Sequence, residues 1–185
     1  MLDFGHPRDL VMIGAIFGVA AFMWAGWAQE SPPAQTGWRV VLGALSLLGL
    51  VLAALSIPLA IKNWGGGTAI DPHTRAFVIY IIVFWAEFVI AGVLAFVVIR
   101  AGRSDLVAPL ILAIVGIHFF ALAVVFGQPV LHLAGGLLTA LAIVAAFLPR
   151  DFAAPSFWCG LIGAPIFLAI GAWCLVAGRS ALTAA

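Results

Sequence analysis

Two side chains in this sequence stand where an acid and a base could act on one another. Glu87 alone interrupts the apolar run from Ala76 to Ile99, and His118 lies in a second run, Leu106 to Pro149, that holds no Lys, Arg, Asp or Glu. A carboxyl and an imidazole brought together can share a hydrogen bond, pass a proton, or hold a polar solute. Counted by helical rise from the same end, Glu87 would lie about 16 Å deep and His118 about 13 Å. Both depths fall near the middle of a bilayer core about 30 Å thick. An acid there costs about 3 kcal/mol on the insertion scale, whereas each Phe, Val, Ile or Leu returns about 0.3 to 0.6 kcal/mol. Sixteen such residues between Phe77 and Ile99 carry the segment into the membrane in spite of Glu87. The local cost remains until the acid is protonated or paired, so Glu87 is expected to face inward. His118 is its expected partner, because the two runs are joined by a short connection. Two readings stay open: a static hydrogen bond that fixes packing, and a pair that handles protons or solute.

Other residues gather toward the same side. Tyr80 shares a helical face with Glu87, with Phe84 between them. His73 and Arg75 belong to the stretch 71–75 that leads into the Glu87 run, and His132 follows Pro129 by three positions. His6, Asp3, Asp9 and Asp71 lie on that side too, which suggests a polar vestibule able to collect a cation or an anionic headgroup. Ligand or proton binding is therefore assigned to Glu87, His118, Tyr80, His132, His73 and Arg75.

Several chemistries are set aside. His118 and His132 show the H-x13-H spacing found in membrane cytochromes b, but there both histidines lie on one continuous helix. Here Gly127-Gln128-Pro129 interrupts, no second segment carries a matching pair, and the depths differ by about 9 Å. No haem or other cofactor is expected. There is no HExxH, H-x3-H or CxxC, so no metal site is expected either. Cys159 and Cys174 would lie about 22 Å apart on one helix, too far to pair, and read as small apolar residues. Without a GxSxG or a P-loop, no catalytic residue is assigned, and the reading leans away from an enzyme.

The elements that must position these groups follow from composition. Of 185 residues, 65% are hydrophobic and 8% charged, with a mean hydropathy of +1.25. A soluble domain carries about a quarter charged residues, so a water-soluble globule is excluded. A net charge of +1 leaves no basic field for nucleic acid. The charge-free runs Leu10–Gln29, Val40–Ile61 and Phe152–Gly178 each supply one crossing, and the Glu87 run a further one. The 44-residue run Leu106–Pro149 is twice too long for one crossing and must turn back at Gly127-Gln128-Pro129. The fold class is thus all-α: a polytopic six-transmembrane-helix bundle forming one domain over 1–185, with helices about 10–28, 38–61, 76–100, 105–126, 130–148 and 154–177. The first span lacks a strongly basic start and is read as retained rather than as a signal peptide. Trp24, Trp27, Trp38, Trp64 and Trp158 fall near span ends, as an interfacial aromatic belt does. Pro165 is expected to kink the last span.

Lys and Arg divide four against four between the two sides, so orientation is undecided. AIFG at 15–18 recurs as AIVG at 113–116, and AGRS at 101–104 recurs at 177–180. These repeats are compatible with a 3+3 inverted repeat, a frequent transporter plan. Gly14 and Gly18 form a GxxxG suited to close helix contact.

The segment AIVGIHFFALA, Ala113 to Ala123, resembles a stretch of a family of small uncharacterised bacterial six-helix integral membrane proteins, whose fourth helix carries an IVG-x-HF pattern. The resemblance implies a membrane bundle of this helix count, draws attention to Gly116, His118 and Phe119, and brings no activity with it.

The expected function is a small transporter or channel-like carrier of the bacterial cytoplasmic (inner) membrane, with Glu87 and His118 as its responsive pair. One alternative is a non-catalytic accessory subunit or a lipid- or pigment-binding membrane protein; another is a membrane enzyme acting on a lipid or quinone. The expected partners are membrane lipids, a small or lipophilic ligand, and a second copy or a larger membrane complex, with no nucleic acid.

Overall fold

The computed structural model of the protein describes residues 2–70 and 73–184, with the side chain of Ala76 left aside. Asp71, part of the expected vestibule, lies outside the described residues. The chain forms six long helices: α1 (Pro7–Trp27), α2 (Thr36–Lys62), α3 (Arg75–Arg100), α4 (Val107–Val125), α5 (Pro129–Phe147) and α6 (Pro155–Ala184). All six are long and apolar enough to cross a membrane, and no described residue lies in a strand. The protein is a multi-pass helical bundle.

Local chemistry explains most boundaries. Pro7 and Pro129 open α1 and α5, where a missing N–H costs nothing and φ is already helical. The Thr74 hydroxyl accepts from the Phe77 N–H at 3.4 Å and caps α3. Between α4 and α5, Gly127 adopts φ +61°, the left-handed conformation that a reversal needs and that glycine takes without steric cost. The greatest departure from the expected ends is in α6, which runs past 177 to Ala184. Arg179 and Ser180 do not stop it, since an aqueous helix end tolerates charge, and the Thr183 hydroxyl donates back to their carbonyls at 3.2 and 2.9 Å. Pro165 lies within α6, which nevertheless stays one helix.

Packing rests on small residues. In lipid no hydrophobic force draws helices together, so they associate where backbones can approach closely. A Cβ added to Gly18 would stand 2.5 Å from the Ala53 nitrogen, and one added to Gly49 would stand 2.5 Å from the Phe22 nitrogen, so α1 and α2 meet backbone to backbone. Gly116 and Gly135 do the same for α4 and α5, where a Cβ on Gly116 would lie 2.7 Å from the Thr139 nitrogen. The glycines that end AIFG and AIVG thus both sit at helix crossings. Helices α1 and α6 run antiparallel over most of α1, with Gly160 against the Trp24 carbonyl and Gly178 against that of Pro7. At the centre, the Phe17 ring meets those of Phe119 and Phe167 edge-on, each 5.2 Å away.

Helix α3 stands apart from this arrangement. It packs against α4, and none of its described residues is buried. Its half-buried positions include Phe77, Tyr80, Phe84, Glu87, Ala91, Ala95 and Val98, a stripe at helical spacing, with Val83 and Ala86 beside it. The opposite face, including Ile82, Trp85, Phe88, Val89 and Phe96, is exposed.

The chain's start is fastened to the α4–α5 turn. Buried Gln128 accepts from the Asp3 N–H at 3.1 Å and donates to the Asp3 carbonyl at 2.7 Å. Gln128→Ala removes both bonds and leaves the Asp3 groups to water. We expect a loss of about 1–2 kcal/mol, with amide exchange of residues 2–5 accelerated and that of the helix centres unchanged. Unaltered exchange at the N-terminal segment would contradict this role.

Candidate functional site: the Glu87–His118 pair and the cavity beside it

The inward stripe of α3 meets α4 at Glu87 and His118. Glu87 Oε2 lies 3.0 Å from His118 Nδ1, and the side chains are only 18% and 10% exposed. The expected neighbours in depth are therefore neighbours in space. The contact is close, but the ring nitrogen is not aimed along it: Nδ1 is enclosed and has no well-angled hydrogen-bond partner among the described residues. Acid and base touch here without being locked in a single hydrogen-bonded geometry. Next to the pair, Phe119 turns into the core and packs against Phe17 and Phe167.

The other assigned residues divide into two groups. Tyr80 lies two turns from Glu87 on the same stripe, with Phe84 between them, their rings 6.2 Å apart. Arg75 and His73 are exposed at and just before the start of α3; Arg75 is about 18 Å along the axis from Glu87 by helical rise. His132 sits on α5 with its ring 5.9 Å from that of Phe120. Glu87 and His118 thus form the site, Tyr80 stands two turns from it beyond Phe84, and His73, Arg75 and His132 are placed elsewhere. No group of three His, Cys, Asp or Glu able to hold a metal ion occurs among the described residues.

A second polar centre is built around Asp9. Its carboxylate is 1% exposed. Oδ1 receives the Arg8 guanidinium through Nε at 3.3 Å and a terminal nitrogen at 3.1 Å. Oδ2 accepts from the Thr68 hydroxyl at 3.1 Å and the Ala69 N–H at 2.8 Å. Arg8 also donates to the Trp64 carbonyl at 3.0 Å and lies over the Trp64 ring, 5.0 Å from its centroid. One buried acid therefore folds the loop after α2 down onto the start of α1. Reading Asp9 as one of several vestibule acids missed this. The available signal was Asp9 in the first turn of a helix begun by Pro7, next to Arg8; the loop donors come from almost 60 residues away.

Beneath that loop lies a cavity of about 440 Å³ between α1, α3 and α4. Arg8, Asp9 and Thr68 line its outer end, Tyr80 and Phe77 its α3 wall, and Phe119 its inner end. Neither Glu87 nor His118 is part of its wall, although Phe119 directly follows His118 in the chain.

The chain matches no protein-family model, no curated protein and no solved structure. None of these comparisons supports the resemblance of Ala113–Ala123 to small bacterial membrane proteins. Its three distinctive residues each have a local role: Gly116 permits the α4–α5 crossing, His118 meets Glu87, and Phe119 fills the core.

Proposed function

We propose that this protein is a small multi-pass carrier of a bacterial inner membrane in which Glu87 and His118 form the proton- or solute-responsive centre. The observation that carries this reading is the 3.0 Å contact between an acid and a base at mid-span, on the interface that attaches α3 to α4. A change of charge on either partner alters the attraction across that interface, which is strong where little water intervenes. Helix α3, with no described residue buried, is the element with the least packing to oppose such a change. Protonation or solute binding at Glu87 would then be coupled to the seating of α3 on α4.

Proton flux into liposomes under an imposed pH gradient, followed with an entrapped dye, tests the reading. Glu87→Gln and His118→Ala are each expected to lower the protein-dependent flux at least tenfold while helix content is retained. Flux equal to the parent protein in both variants would retire the responsive role and leave a static packing contact.

The apolar outer face of α3 favours a second reading, an accessory subunit seated against a second copy or a larger membrane complex. It shares the Glu87–His118 contact and differs in what covers Trp85, Phe88 and Phe96. Cross-linking from α3 in intact membranes separates it from a monomeric carrier.

A further inference from the structure

The cavity beneath the 64–70 loop lies directly beside another hollow. Met12, Ile16 and Trp64 border the cavity and also border this second hollow of about 370 Å³ along the outer face of α1 and α2. That second hollow is wholly apolar, with Ile57 and Ile61 of α2 opposite Met12 and Ile16. A chamber with polar groups at one end therefore adjoins a hydrocarbon-lined groove, with three side chains common to both walls. Each volume falls within the range of about 300–1,000 Å³ typical of small-ligand sites.

The chemistry of the chamber selects the head of a ligand. Arg8 and Asp9 neutralise one another at 3.1 Å. Both Asp9 oxygens are occupied by protein donors, so the chamber offers no net charge to an anion or a cation. Tyr80, the only tyrosine in the chain, brings a hydroxyl with no hydrogen-bond partner among the described residues to this wall, where it can donate to a carbonyl. The remaining walls include the rings of Phe17, Phe77, Phe119 and Phe126, with Phe126 edge-on to Tyr80 at 6.4 Å. Aromatic faces and edges suit a flat ring better than a branched glycerol ester.

We propose that the chamber and groove together bind an uncharged membrane quinone, its ring among the aromatic side chains with one carbonyl on Tyr80, and its hydrocarbon chain along Met12, Ile16 and Ile57. The site is separate from the Glu87–His118 contact, and the inference stands independently of proton flux through that pair. It concerns binding alone and involves no electron transfer.

Trp64 forms a wall of both spaces, so quenching of its fluorescence reports occupancy. Decyl-benzoquinone titrated into the full-length protein in nanodiscs is expected to give saturable quenching, part of which disappears in Trp64→Phe. Tyr80→Phe, which keeps the ring and its packing, should weaken binding threefold to tenfold, the scale of one lost hydrogen bond. Met12→Phe, which narrows the junction of chamber and groove, should weaken it at least tenfold. Dioctanoylglycerol should displace the quinone poorly. Quenching that rises without saturation and equally in all variants would show mere partitioning into lipid and overturn the site. Displacement by dioctanoylglycerol at equal concentration would overturn the choice of a flat ring.

Discussion

Asp9→Ala is expected to destabilise the folded protein by about 3–5 kcal/mol, the cost of removing one partner from a buried ion pair. The substitution leaves the Arg8 guanidinium without its acceptor and strips the Thr68 hydroxyl and the Ala69 N–H of theirs. The 64–70 loop should then leave the start of α1, and the outer end of the cavity should open. Asp9→Asn keeps one acceptor oxygen for the loop and loses the charge, so its loss should lie between those of the parent and the alanine variant. Reversible unfolding in mixed micelles measures the differences, and hydrogen exchange at Ala69 locates them. A shift below about 1 kcal/mol for Asp9→Ala would mean that the pair is solvated and that the loop is held by other contacts.

Gly18→Leu should prevent the bundle from assembling as described. A Cβ at this position would lie 2.5 Å from the Ala53 nitrogen and 2.8 Å from the Gly49 carbonyl oxygen. Both are backbone atoms, which cannot rotate away as a side chain can, so α1 and α2 must separate. Overpacking a well-filled core costs about 1–3 kcal/mol and occasionally more, and a clash with backbone belongs at the upper end. Because α1 is also the main partner of α6, displacing it disturbs both contacts. Gly26→Leu is the control: nothing lies within 4 Å of a Cβ there. Thermal midpoints in detergent should fall sharply for Gly18→Leu and stay near the parent for Gly26→Leu. Equal midpoints would refute the close crossing.

Much of this architecture can be traced to individual residues in the sequence. The 44-residue uncharged run had to fold back, and Gly127 does so with φ +61°. The depth of Glu87 pointed to His118, and their side chains meet at 3.0 Å. The GxxxG glycines and Gly116 lie at the helix crossings. By contrast, only their place toward the same ends of the apolar runs links His132, His73 and Arg75 to the pair in the sequence. Being toward one side sets neither the distance along a helix nor the helix a residue belongs to: Arg75 opens α3 about three turns before Glu87, and His132 lies on α5 beside Phe120. Gln128 read only as part of a turn, since its partner, Asp3, lies 125 positions away.

The number of helices and the approximate position of each follow from the sequence, because hydropathy is a local property and bilayer thickness fixes how many residues one crossing needs. Folding in three dimensions settled the rest: which faces meet, that α3 remains at the periphery, that Asp9 is sealed by a distant loop, and that a polar-ended cavity lies beside an apolar groove. Those features depend on shape matching between segments far apart in the chain. In hydrocarbon, where apolar faces gain little by merely touching, the close fit of small residues chooses the neighbours.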